Sequence, residues 1–159
     1  MTKVQPGDVA PDVALTLDDG STLRLSEQIG RPVVLYFYPQ DNTEGCTNEN
    51  REFSERKAEF DKLGALLVGI SPDTIETHVR FRKKFDLKIP LAADPERTAI
   101  EAFGLWQLKK LYGCEFLGLI RTSVIIGADG RIVAVVKASR IAGHAQKMLD
   151  ALRAHIAAQ

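Results

Sequence analysis

An α/β fold is predicted for this chain of 159 residues by three observations. Two apolar runs, at 33–38 and 65–70, are each followed by a stretch in which apolar residues recur at helical spacing. That β-α-β-α order implies parallel strands joined by a right-handed crossover. Two further apolar runs, at 122–126 and 132–136, flank Gly127-Ala128-Asp129-Gly130 and read as an antiparallel hairpin, and a helix-patterned segment closes the chain. The length suits one domain, 1–159, with room for one sizeable core.

Taken in order, Val13-Ala14-Leu15-Thr16-Leu17 and Thr22-Leu23-Arg24-Leu25, on either side of Asp18-Asp19-Gly20, read as a short hairpin expected to cap one side of the core. Strand 33–38 is apolar throughout, as a strand buried on both faces has to be. Helix 47–63, strand 65–70 and helix 74–85 follow. Ile89-Pro90-Leu91-Ala92 supports a short strand at most, before a helix over 96–103. Segment 104–120 shows no sustained period and is expected to be irregular. The closing helix, 144–158, places Ala145, Met148, Leu149, Leu152 and Ile156 on one face, which packs on the sheet. A parallel βαβ, then an antiparallel hairpin and a final helix, is the order of the thioredoxin-like architecture. Here a central mixed sheet flanked by helices is preceded by an extra N-terminal hairpin.

Composition narrows the function. Twenty-one basic residues balance 21 acidic ones, so no global field recruits nucleic acid or an anionic membrane. The first eight residues lack the apolar stretch of a signal peptide, and no later run is long enough to span a bilayer, so a cytoplasmic protein is expected. Two cysteines, Cys46 and Cys114, form neither a disulfide framework nor paired zinc spacing. His78 and His155 fall on helix faces and His144 reads as a capping or surface residue, so no metal site is expected.

Cys46 stands at a strand-to-helix turn, where backbone N–H groups and the helix dipole favour the thiolate, which is the nucleophile. Cys46, Phe53 and Phe60 are seven apart and so drift only about 20° per step, which puts the thiol on the buried face of the helix. Glu49 and Asn50, three and four residues on, share that side. A carboxylate facing inward needs a partner, and an arginine from another element would satisfy Glu49 while supplying positive charge to the thiolate. Arg121 is the residue available for this role.

The pattern Pro39-x-x-x-Thr43-x-x-Cys46 resembles the peroxiredoxin active-site motif. The longer run Tyr36-Phe37-Tyr38-Pro39-x-Asp41-x-Thr43-x-Gly45-Cys46-Thr47-x-Glu49 is similar to the peroxiredoxin Q subgroup, also called bacterioferritin comigratory protein. The likeness continues through Gly69-Ile70-Ser71-x-Asp73, Leu91-x-x-Asp94, Phe103-Gly104-Leu105-Trp106, Arg121-Thr122-Ser123-Val124-Ile125-Ile126 and Gly143-His144-Ala145. The resemblance implies a thiol-dependent peroxidase acting on hydrogen peroxide and organic hydroperoxides, with thioredoxin or another thiol as reductant and no haem, flavin or metal cofactor. It implies that Cys46 attacks the peroxide and becomes a sulfenic acid. Arg121 and the Cys46 N–H would donate to the peroxide oxygens, Thr43 would orient the substrate, Pro39 would shield the pocket, and Glu49 would hold Arg121.

Two positions depart from that pattern. Many members carry a second, resolving cysteine five residues after the first, where this chain has Arg51, and others carry it on the next helix, where 71–85 has none. Cys114 is therefore either a resolving residue, within the chain or across a dimer, or a bystander to a one-cysteine cycle in which an external thiol reduces Cys46 directly, and the bystander reading leads. Glu44 replaces a frequent proline and is expected to oppose the thiolate slightly. Trp106, Tyr112 and Phe116 are expected to cover the site mouth or a dimer contact, in a monomer or weak homodimer. Of the competing functions, a thiol–disulfide oxidoreductase would need a Cys-x-x-Cys pair, and a cysteine hydrolase would need a histidine base. A peroxide-responsive sensor or holdase would differ from a peroxidase by turning over slowly with every donor.

Overall fold

The computed structural model describes residues 4–158; Met1, Thr2 and Lys3, on which part of the signal-peptide reading rests, lie outside them, as does Gln159. The elements run β1 Ala14–Leu17, β2 Thr22–Arg24, a 3₁₀ turn Leu25–Gln28, β3 Val33–Phe37, α1 Glu44–Lys62, β4 Leu66–Ser71, α2 Ile75–Phe85, β5 Leu91–Ala93 and α3 Thr98–Ala102. They continue with β6 Trp106–Leu111, β7 Cys114–Leu119, β8 Thr122–Ile126, β9 Ile132–Lys137 and α4 His144–Ala157. Seven strands form one mixed sheet in the order β2-β1-β5-β4-β3-β8-β9. Strands β3, β4 and β5 are parallel, and β1, β8 and β9 join antiparallel. This is the mixed sheet of the thioredoxin-like fold expected from the sequence.

β3 explains how the core divides. Its side chains alternate between faces. Val33, Leu35 and Phe37 join a cluster with Ala99, Ile100 and Phe103 around α3, whereas Val34, Tyr36 and Tyr38 join one built with Phe53 and Phe60 of α1, Phe81 of α2 and Met148, Leu149 and Leu152 of α4. Both clusters exclude solvent, so the strand has no polar face to show, which is why its sequence is continuously apolar. The N-terminal hairpin does not sit over the core as a cap. β1 pairs with β5 and lengthens the sheet, with Leu15 and Leu17 turned inward.

A second correction concerns 104–120, which is not irregular. β6 and β7 pair antiparallel across a two-residue turn in which Tyr112 and Gly113 both have positive φ, 50° and 78°. That is the turn geometry whose twist suits a hairpin. Tyr112 is 96% exposed at the tip, so it covers no pocket of its own chain, and Phe116 is also exposed. Trp106, at the hairpin's base, packs on the core under the Arg97 guanidinium, 4.4 Å from the ring centre. Among the described residues, no helix is long and apolar enough to cross a membrane.

Gly69 in β4 is required by close packing. It lies opposite Tyr36 in the parallel β3–β4 pair, and a Cβ there would stand 2.6 Å from Tyr36 Cζ. The ring cannot retreat, because it stacks on Phe53 at 4.2 Å and its hydroxyl donates to Asn50 Oδ1 at 2.6 Å. Gly69→Ala is therefore expected to cost about 1–3 kcal/mol, the usual price of overpacking a filled core. Urea unfolding reads it directly, and an unchanged midpoint would contradict it.

Candidate active site

The site forms where the C-terminal end of β3 meets the start of β8. These strands are antiparallel, and Phe37 lies opposite Thr122, so the segment leaving β3 and the residue entering β8 emerge at the same end of the sheet. The first carries Pro39, Thr43 and Cys46; the second is Arg121. This topology joins residues 75 positions apart in the chain.

α1 begins at Glu44, three residues earlier than its apolar pattern indicates, because Thr43 caps it: the Cys46 N–H donates to Thr43 Oγ1 at 3.4 Å. The Thr43 hydroxyl in turn donates to the Gln40 carbonyl at 3.1 Å. Cys46 thus lies inside the first turn of the helix, with its thiol on the buried side and only 1% exposed. Glu44 is exposed, so its charge is screened by water. Pro39 is half-buried just beyond β3. Gly45 allows the turn to approach its neighbours, since a Cβ there would stand 2.8 Å from Ile141 Cδ1 and 3.6 Å from Arg121 Nη2.

Arg121 links the thiol to the carboxylate. Its Nη2 donates to Cys46 Sγ at 3.2 Å and its Nη1 to Glu49 Oε1 at 2.5 Å. Glu49 is 1% exposed, and its Oε2 has no hydrogen-bond partner. Burial pushes the Glu49 carboxyl up to about 7, against the pull of Arg121. Burial also opposes the charge on Arg121, but Glu49 and Cys46 beside it outweigh that and hold its pKa above the ordinary value. Arg121 therefore stays cationic, and Glu49 is the partner that takes up a proton.

Cys114 is not part of this group. It is exposed, at the outer end of β7, and both cysteines are free. From Cys114 the paired strand runs five steps to Leu119, about 17 Å, before the chain reaches Arg121.

One histidine, His144, differs from the sequence reading, whereas His78 lies on a helix as expected. His144 is neither a surface residue nor a side-chain cap; it is buried at the start of α4 with Nε2 2.7 Å from Ser123 Oγ. Burial, with Lys147 and Arg121 adding to it, lowers its pKa to about 4, so the ring is neutral near pH 7. His78 is fully buried, with Nδ1 2.7 Å from Asp41 Oδ2. The Asp41–His78 pair escaped sequence reasoning, although the three-residue spacing of His78 and the core residue Phe81 marks His78 as inward-facing. Among the described residues, no cluster of three or more His, Cys, Asp or Glu is placed to hold a metal.

The Cys46 thiol, held against Arg121 at a helix start, lies in a chain with many known relatives. Residues 6–135 match the AhpC/TSA family. The chain is 37% identical over 150 residues to peroxiredoxin Bcp of Bacillus subtilis, covering 94% of this chain and 96% of that one. It is 40% identical over 152 residues to a putative peroxiredoxin bcp of Helicobacter pylori, covering 96% and 100%. A solved structure of the Xanthomonas campestris bacterioferritin comigratory protein, studied for alkyl peroxide reduction, superposes with a TM-score of 0.88 at 33% identity, over 98% of this chain and 99% of that one. The chain belongs to the AhpC/TSA family. Within that family it is a peroxiredoxin of the Bcp, or peroxiredoxin Q, group: a cysteine-dependent peroxidase.

Proposed function

We propose that Cys46 is the peroxidatic cysteine, reducing hydrogen peroxide and organic hydroperoxides in a one-cysteine cycle. The observation that carries this reading is the Arg121 bridge, which sets one guanidinium against both the Cys46 sulfur and the Glu49 carboxylate. The Cys46 thiolate attacks the nearer oxygen of ROOH, the O–O bond breaks, and Cys46–SOH and RO⁻ are formed; RO⁻ then takes a proton to leave as ROH. Negative charge grows on the departing oxygen, where the Arg121 N–H groups and the first-turn N–H of Cys46 supply donors fixed in advance. Thr43 accepts from the peroxide and orients it, Pro39 keeps water from the pocket without offering an N–H, and Glu49 holds Arg121 in place.

One external thiol displaces water from Cys46–SOH to give a mixed disulfide, and a second releases Cys46 as the thiol. Thioredoxin or another cellular thiol fills this role. Cys114 stays outside the cycle, because its position at the exposed end of the hairpin and the disulfide requirement for Cα atoms within about 7 Å work against a direct bond. The X. campestris work on alkyl peroxides supports organic hydroperoxides among the substrates. The family kinship does not favour a sensor or holdase without turnover. We further propose that the protein works in the cytoplasm as one domain, monomeric or weakly dimeric.

Intact mass and peptide mapping after one equivalent of hydrogen peroxide test the assignment. Wild type and Cys114→Ser are both expected to gain a single oxygen on Cys46 and to turn over alike with a small thiol. Loss of two hydrogens in wild type alone would make Cys114 the resolving residue. Oxygen on Cys114 with Cys46 still reduced would overturn the peroxidatic assignment.

A further inference from the structure

Asp41 lies between Pro39 and Thr43, and both its carboxylate oxygens and its backbone N–H are engaged. Its Oδ1 accepts from the Tyr38 hydroxyl at 2.6 Å, its Oδ2 lies 2.7 Å from His78 Nδ1, and its backbone N–H donates to Asp73 Oδ2 at 2.8 Å. Asp73 is itself fixed by the Ser71 hydroxyl at 2.6 Å. His78 reaches out from α2 and places Nε2 3.0 Å from the Ala92 carbonyl on β5. That carbonyl only accepts, so Nε2 carries a hydrogen, and one further proton is shared between Nδ1 and Oδ2. The Asp41 and His78 side chains are both fully buried. Burying polar groups of this kind costs free energy that their hydrogen bonds must offset, so core packing alone does not account for them.

The segment being held is also unusual. Asn42, between Asp41 and Thr43, has φ 66°, a left-handed conformation that asparagine tolerates better than most residues but that persists only where the surroundings impose it. The constraints stand on either side: the bonds of Asp41, and Thr43 Oγ1 between the Gln40 carbonyl and the Cys46 N–H. Pro39 and Thr43 thus take their positions relative to the helix start from a link between this segment, α2 and β5.

We propose that Asp41 and His78 are positioning residues of the peroxidase: a buried tether that sets Thr43 and Pro39 for the peroxide while touching neither substrate nor Cys46 Sγ. This rests on the assignment of Cys46 as the peroxidatic residue. The tether acts on how the peroxide is oriented and leaves the reactivity of the sulfur to Arg121. The peroxide reaction should therefore depend on it, and the reaction of Cys46 with an electrophile that needs no such orientation should not.

Asp41→Ala cuts the link to both Tyr38 and His78 without stranding a charge, and Asp41→Asn keeps the hydrogen bonds with a neutral group, its amide donating to Nδ1 and its carbonyl accepting from Tyr38. Single-turnover oxidation of Cys46 by hydrogen peroxide and its alkylation by iodoacetamide are measured side by side. In Asp41→Ala, oxidation is expected to slow by about 10- to 100-fold, the scale of a misoriented reactant, with alkylation unchanged. Asp41→Asn is expected to recover most of the oxidation rate. Should Asp41→Ala fail to fold, as judged by circular dichroism, His78→Gln is expected to show the same selective loss. Wild-type oxidation rates in the cut variant, or oxidation and alkylation changing by the same factor, would overturn the tether. A wild-type protein that takes its oxygen somewhere other than Cys46 would overturn the underlying assignment instead.

Discussion

Arg121→Ala is expected to slow single-turnover oxidation of Cys46 by about 10²- to 10³-fold, the range for losing a preorganised donor to a developing oxyanion. Two effects combine. On the proposed mechanism the Cys46 sulfur loses the N–H at 3.2 Å, and the departing oxygen loses the same guanidinium in the transition state. The fold should survive, although removing one member of a buried ion pair usually costs 3–5 kcal/mol, roughly half the stability of many domains. Glu49 has an outlet, because burial already holds its carboxyl near 7, so with Arg121 gone it takes a proton and carries no stranded charge. Arg121→Lys is expected to recover only part of the rate. A lysine provides charge but not two planar N–H groups set for Sγ and Oε1 together. Stopped-flow oxidation alongside circular dichroism tests this, and an alanine variant within a few-fold of wild type would remove Arg121 from the mechanism.

What could be read from the sequence followed how local each signal was. β3 was legible because burial on both faces leaves a plain apolar run, and the buried side of Cys46 because Phe53 and Phe60 repeat its position on α1. Arg121 was legible because an inward carboxylate requires a cation, and the motif offered one at the start of β8. The β6–β7 hairpin was not. Its strands project with both faces largely in water, so Lys109, Lys110 and Glu115 mingle with exposed Leu108, Phe116 and Leu117 and no alternation survives. Its Tyr112-Gly113 turn lacks the leading asparagine or aspartate that marks such turns. The buried histidines were hidden for a different reason. Asp41 and His78 are 37 positions apart, and Ser123 and His144 are 21 apart, and neither pair has a spacing rule to reveal it; only the packing of α2 and α4 on the sheet brings them together.

Glu49→Gln is expected to remove a pH dependence from both stability and rate. An unfolded glutamate ionises near 4.5, whereas in the fold the Glu49 carboxyl holds its proton to about 7. Between those values the native state binds a proton that the unfolded state has released, so stability falls as pH rises through the window and the loss is complete above 7. The gap corresponds to about 3 kcal/mol. Glutamine has the same shape, and its carbonyl can still accept from Arg121, but it cannot ionise. Urea unfolding at pH 4 and pH 8 should therefore show wild type losing about 3 kcal/mol relative to the variant, with contributions from other groups common to both proteins. The same titration governs Arg121. While Glu49 is protonated the guanidinium serves the Cys46 sulfur without a competing anion, and once Glu49 ionises it is divided between sulfur and carboxylate. The variant keeps the undivided arrangement at every pH, so its peroxide rate should lack the inflection near 7 that Glu49 gives wild type. Identical pH profiles in the two proteins, for unfolding and for oxidation, would show that Glu49 stays ionised beside Arg121 throughout.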